Sequence, residues 1–116
     1  MLFKKTQLDQ IEINNCHDGV GSVFSLEKIF NKESTGFRFF HETTIPPGST
    51  IGIHGHEDSR EELFVIKEGT GIYSEDGREH EVGPGDICFF NKNTGVHGIR
   101  PAGKQPLVML VIGVNI

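Results

Sequence analysis

Four side chains in this sequence could share one ion. His54 and His56 sit one residue apart in "IHGHEDSREELFVIKEG", Glu62 follows in the same stretch, and His97 lies downstream in "NKNTGVHGI". On an extended strand, residues i and i+2 point to one face, separated by about 7 Å of rise. His54 and His56 would therefore present both imidazoles to the same side, with Gly55 turned away. Glu62 shares a strand face with Phe64 and Ile66, so if that face is interior its carboxylate is buried. A buried carboxylate is costly unless a cation or donor compensates it. A divalent metal does so, and neutral imidazoles are ready co-ligands. His97 follows a glycine-containing turn and precedes an apolar residue, where a new strand would begin.

Short strands must carry these residues. "FRFFHETTI" is aromatic and β-branched, and "PPGS" from Pro46 to Ser49 stops it with turn chemistry. "TIGIHGH", "EELFVIKEG", "GIYSEDGREHEV", "GDICFFN" and "LVMLVIGV" follow, and Asp76-Gly77 sits where a tight hairpin would turn. Upstream, "SVFSLEKIF" (Ser22 to Phe30) reads as strand because its apolar residues nearly alternate. Regularly spaced strands without a long helical pattern predict a small all-β sandwich or barrel. In "LFVI", Leu63 and Val65 face one way while Phe64 and Ile66 face the other. One face can line an interior, and the other needs a second sheet or a partner subunit. A homodimer is the expectation, with the strand region 1–30 available for contact.

Bulk properties narrow the function. The 116 residues suit one domain, 1–116, and the net charge of −5 gives no basic stripe for nucleic acid. The N-terminal "MLFKKTQLDQ" has no apolar core or small-residue cleavage site of a leader, and no stretch is long enough to span a bilayer. With only Cys16 and Cys88, a disulfide framework is not indicated and a reducing cytoplasm is the default.

The residues also match a family pattern. "PPGSTIGIHGHEDSREELFVIKEG" resembles the first metal-binding motif of cupins, with Gly48, His54, His56, Glu62 and Gly69 on its positions. "GPGDICFFNKNTGVHGI" resembles the second, with Pro84, Gly85 and Asp86 at a turn and His97 as its histidine. "CHDGVGSVF" is similar to the glycine-rich segment that opens many small single-domain cupins, so the resemblance runs from about residue 16 to 116. Counting forward from His56 picks Glu61 as the acidic ligand, whereas counting back from Gly69 picks Glu62. The backward count is preferred, because a strand fixes which face a residue occupies and a loop absorbs an insertion.

The resemblance implies a double-stranded β-helix, or jelly-roll barrel, with a divalent Mn, Fe, Ni, Zn or Co ion held inside by His54, His56, Glu62 and His97. Such an ion keeps net positive charge beside one carboxylate and would attract a small anion of carboxylate type. The leading expectation is an enzyme on such an anion, with lyase or decarboxylase, isomerase and dioxygenase chemistry all open. A non-catalytic sensor or carrier is the alternative, and a metal-free epimerase-like barrel fits the full ligand set poorly. No catalytic acid or base is assigned. His41 is either an acid/base group facing the pocket or an ordinary strand histidine. His17 and His80 read as surface residues, Asp86 as a turn cap, and Glu61 as solvated or paired with Arg60. Arg38 and Tyr73 are candidates to reach an anion.

Overall fold

The alternation read from the sequence becomes two packed antiparallel sheets in a computed structural model. Residues 1–55, 60–91 and 94–116 are described. The strands are β1 (Asp9–Asn14), β2 (Ser22–Ile29), β3 (Phe37–Ile45), β4 (Ile51–His54), β5 (Arg60–Glu68), β6 (Gly71–Glu75), β7 (Arg78–Val82), β8 (Ile87–Phe90), β9 (His97–Pro101) and β10 (Leu107–Asn115). One sheet runs β1-β2-β3-β10-β5-β8 and the other β4-β9-β6-β7. The jelly-roll class expected above is the one adopted. Leu107, Met109 and Val111 of β10 alternate inward to meet Ile45, Phe64 and Ile66 in the core between the sheets.

Period-two parity decides which carboxylate of β5 faces inward. Glu62, Phe64 and Ile66 are buried, whereas Glu61, Leu63 and Val65 are only partly covered on the outer face. The backward count from Gly69 therefore selects the inward carboxylate. β1 lies upstream of the residue-16 start suggested by the motifs and pairs with β2 from Asp9 to Asn14. Its sequence, "DQIEIN", is too polar to announce itself, and it is a mostly exposed edge strand.

Two turns matter for function. Asp76 and Gly77 both have positive φ, 47° and 82°, as the tightest hairpins require, so the expected turn joins β6 to β7. The Asp76 carboxylate accepts from the backbone N–H groups of Gly95 and Val96, at 3.2 and 2.8 Å, and so holds the approach to β9. The second is a 3₁₀ turn at Cys16–Asp18, where Asn15, His17 and Asp18 are all left-handed, with φ of 52°, 51° and 60°. This turn lies against β4. A Cβ at Gly52 would strike the His17 carbonyl oxygen, and one at Gly19 would strike that of Thr50. Both glycines are there for closeness of approach.

Candidate metal centre and cavity

His54 ends β4 and His97 begins β9, and the two residues are paired directly across the strands. Their ring centroids are 4.8 Å apart. The imidazole of His54 donates from Nδ1 to the Gly52 carbonyl at 2.8 Å, which puts its lone pair on Nε2. Burial lowers the His54 pKa, opposed by that hydrogen bond and reinforced by Arg60, so the ring is neutral at pH 7.

His97 is 1% exposed and clamped by aromatic rings. Phe64 stacks on it at 5.2 Å and 20°, and Phe90 lies 4.1 Å away. Its Nδ1 is 3.2 Å from the Tyr73 hydroxyl, which in turn reaches the Glu75 carboxylate at 3.4 Å. Burial, then Glu75, pushes the Tyr73 pKa far up, so the phenol stays protonated and donates to Glu75. The phenol oxygen then accepts from His97 Nδ1–H, and the lone pair of His97 also falls on Nε2. Imidazoles anchored through Nδ1 in this way are the usual form of metal-ligating histidines.

Glu62 is 6% exposed and lines a cavity of about 160 Å³ with His54. Arg60 has its Nε 3.4 Å from the Glu62 carboxylate, because residues i and i+2 share a face. The other polar lining comes from Cys16, His17, Ser25, His41 and Thr43, and apolar walls come from residues such as Phe39, Phe64 and Met109. Of the four expected ligands, His54 and Glu62 line this cavity, His97 adjoins His54, and His56 lies outside the described residues. Among the described residues, no three His, Cys, Asp or Glu side chains form a group able to hold an ion. The donor chemistry of His54, His97 and Glu62 nonetheless suits a divalent ion: imidazoles held by their far nitrogens and a buried carboxylate.

Several other expectations change. His17 is exposed, as read, yet its ring stacks flat on His54 with centroids 3.4 Å apart and 8° between planes. No strand pattern could have revealed this, because it depends on the left-handed turn. Burial, then His54 and Arg60, lowers its pKa. Tyr73 reaches His97 rather than the cavity lining, and Arg38 alternates outward beside the buried Phe39. Asp86 caps its turn by accepting from Gly83 N–H at 2.7 Å, and His80 is exposed on β7.

Two antiparallel sheets around a cavity lined by imidazoles and a buried carboxylate define a barrel of the cupin type. Residues 41–113 match the cupin domain, and the chain belongs to that family. An oxalate-binding protein of Thermotoga maritima is 29% identical over 117 residues, covering 97% of this chain and 92% of that one. L-ectoine synthase of Bordetella parapertussis is 37% identical over 86 residues, 72% of this chain and 62% of the synthase. Among solved structures, a predicted oxalate decarboxylase from Thermotoga maritima superposes with a TM-score of 0.86 at 26% identity over the full length of both chains. A cupin sugar phosphate isomerase from Silicibacter pomeroyi shares the fold at 19% identity, with a TM-score of 0.77 over all of this chain and 76% of its own.

Proposed function

We propose that this cupin is a metal-dependent enzyme that takes a small carboxylate-type anion into its cavity. The divalent ion, one of Mn, Fe, Ni, Zn or Co, would be held by His54, His56, Glu62 and His97, and would supply Lewis-acid polarisation of a bound oxygen. The observation that carries the reading is the pair of imidazoles whose Nδ1 atoms are tied to Gly52 and Tyr73. That arrangement fixes each ring's orientation and puts its lone pair on Nε2, as metal-ligating histidines require. Arg60 lines the cavity with a permanently charged guanidinium, which favours an anion. At about 30 Å³ per water, the cavity admits a molecule of about half a dozen non-hydrogen atoms. The Thermotoga relative named for oxalate binding is consistent with a ligand of that size and charge.

Elemental analysis of the purified protein and of His97→Ala tests the metal. A stoichiometric transition metal that falls in the variant is expected. A metal-free wild type whose stability does not change in His97→Ala would defeat the reading. Carbon dioxide release and oxygen uptake over oxalate and related small carboxylates then test turnover. The name of that same relative favours a second reading, a non-catalytic carrier. Saturable oxalate binding without turnover would select it.

The outer face of the larger sheet supports a homodimer. Leu26, Glu42, Leu110, Val65 and Ile87 form one cross-strand row, and Lys28, Phe40, Ile112, Leu63 and Phe89 form the next. Each row is charged only toward β2 and β3, and at the β8 end Ile87 and Phe89 are 63% and 50% exposed. Monomers rarely leave contiguous apolar patches beyond a few hundred Å² uncovered. A second copy laid against the β10–β5–β8 half would cover them. The unbridged Cys16 and Cys88 fit a reducing cytoplasm.

A further inference from the structure

The inner face of a barrel strand is normally apolar, and on β2 and β3 polar residues interrupt it between Val23, Phe39 and Ile45. Two successive inward rungs are polar: Ser25 opposite Thr43, and Glu27 opposite His41. Ser25 Oγ and Thr43 Oγ1 are buried 2.9 Å apart, and His41 Nε2 lies 2.6 Å from Glu27 Oε2. Ser25, Thr43 and His41 all line the cavity that also meets His54, Arg60 and Glu62. Departures from local patterning of this kind concentrate at working sites. A neutral imidazole that gives its Nε2–H to a carboxylate carries its lone pair on Nδ1. The carboxylate then stands ready to balance the imidazolium, the arrangement that orients a general base.

We propose that Glu27 and His41 form the proton-exchanging pair of this cavity: His41 takes up a proton when a small carboxylate such as oxalate enters, and releases it when the carboxylate leaves. The inference rests on the carboxylate reading above. On entry one N–H bond forms at the His41 imidazole with a proton from solvent, and on departure the same bond breaks; no electrons are transferred. The charged and titratable groups lining the cavity with His41 are His54 on β4, Arg60 and Glu62 on β5, and Cys16 and His17 on the turn; β10 contributes only Met109 and Val111, and Glu27 on β2 meets the ring through its hydrogen bond. Burial lowers the His41 pKa, the hydrogen bond and charge of Glu27 oppose this, and Arg60 adds to the lowering. The ring is neutral at pH 7 as a result. An anion beside Arg60 offsets that cation and adds negative charge of its own, which turns the balance toward imidazolium.

Titration calorimetry of oxalate into the purified protein with manganese(II), in buffers of different ionisation enthalpy, counts the protons. About one proton taken up per oxalate near pH 7 is expected for the wild type. His41→Gln, which can still donate to Glu27, should bind oxalate with that uptake abolished, and Glu27→Gln should reduce it. Undiminished uptake in a folded His41→Gln overturns the proposal. Wild-type binding without proton exchange overturns it too, while leaving the carboxylate reading intact. Failure of the wild type to bind oxalate overturns both. Should the variants not fold, imidazole nitrogen NMR of the wild type decides: a His41 ring that stays neutral in saturating oxalate overturns the pair's role.

Discussion

At His97 the decisive atom is Nδ1, because whatever holds it fixes which nitrogen faces the cavity side of the ring. Tyr73 holds it, on the diagonal of the β6–β9 ladder where Tyr73 pairs with Ile99 and Glu75 with His97. Tyr73→Phe keeps the ring's packing and removes the oxygen. We expect metal affinity to fall about 10- to 100-fold in a chelator competition, with a stability loss of about 1 kcal/mol. A Tyr73→Phe variant with wild-type metal affinity would remove the phenol from this role. Cys88 behaves differently. It is 6% exposed, and burial with Asp86 and Glu75 pushes its thiol up to about 11. It should resist thiol reagents at pH 8 until the protein is unfolded, while half-covered Cys16 reacts first. His54, Glu62 and His97 were legible from residue type and spacing, since a core-facing carboxylate and a strand-initial histidine stand out against an apolar pattern. Tyr73 and His17 were not, because their contacts come from strand pairing and a left-handed turn that lie outside any local periodicity.

Strands with strong aromatic or β-branched alternation, such as β3 and β10, could be read off directly, and the Asp76-Gly77 hairpin was visible in its two turn residues. β1 could not, since an exposed edge strand needs no apolar face. The contact between β4 and the Cys16–Asp18 turn was equally hidden, although its glycines were in plain view. That contact has a direct test. Gly52→Ala puts a methyl group into the His17 carbonyl, so either the turn or β4 must move. We expect a loss of about 1–3 kcal/mol, as for other overpacked sites, in urea unfolding. Ligand affinity should fall with it, since His54 follows Gly52 by two residues and takes its Nδ1 partner from that backbone. Unaltered stability would mean the turn is not seated as described.

The whole molecule adds these local choices into its response to acid and to its own concentration. His17, His41 and His54 all have pKa values below the ordinary 6.5, each with burial as the largest cause. The unfolded chain therefore binds protons that the folded chain refuses. The stability these rings contribute is fully present above about pH 6.5 and is lost as pH falls through their folded values. A lower urea midpoint at pH 5 than at pH 7.5 is expected, and an equal midpoint would contradict the neutral-ring picture. Sedimentation should find a dimer at micromolar concentration, and Phe89→Lys on the exposed end of the outer rows should yield monomers without loss of metal. A monomeric wild type would leave that face without its proposed cover. The barrel is also not built for durability alone. A histidine at a left-handed position costs about 1 kcal/mol or more, and glycine there would avoid that cost while giving back about 0.4–1 kcal/mol through the unfolded chain. His17→Gly should therefore melt close to the wild type. An imidazole seated there accepts backbone strain in order to lie flat on His54, beside the cavity that both rings line.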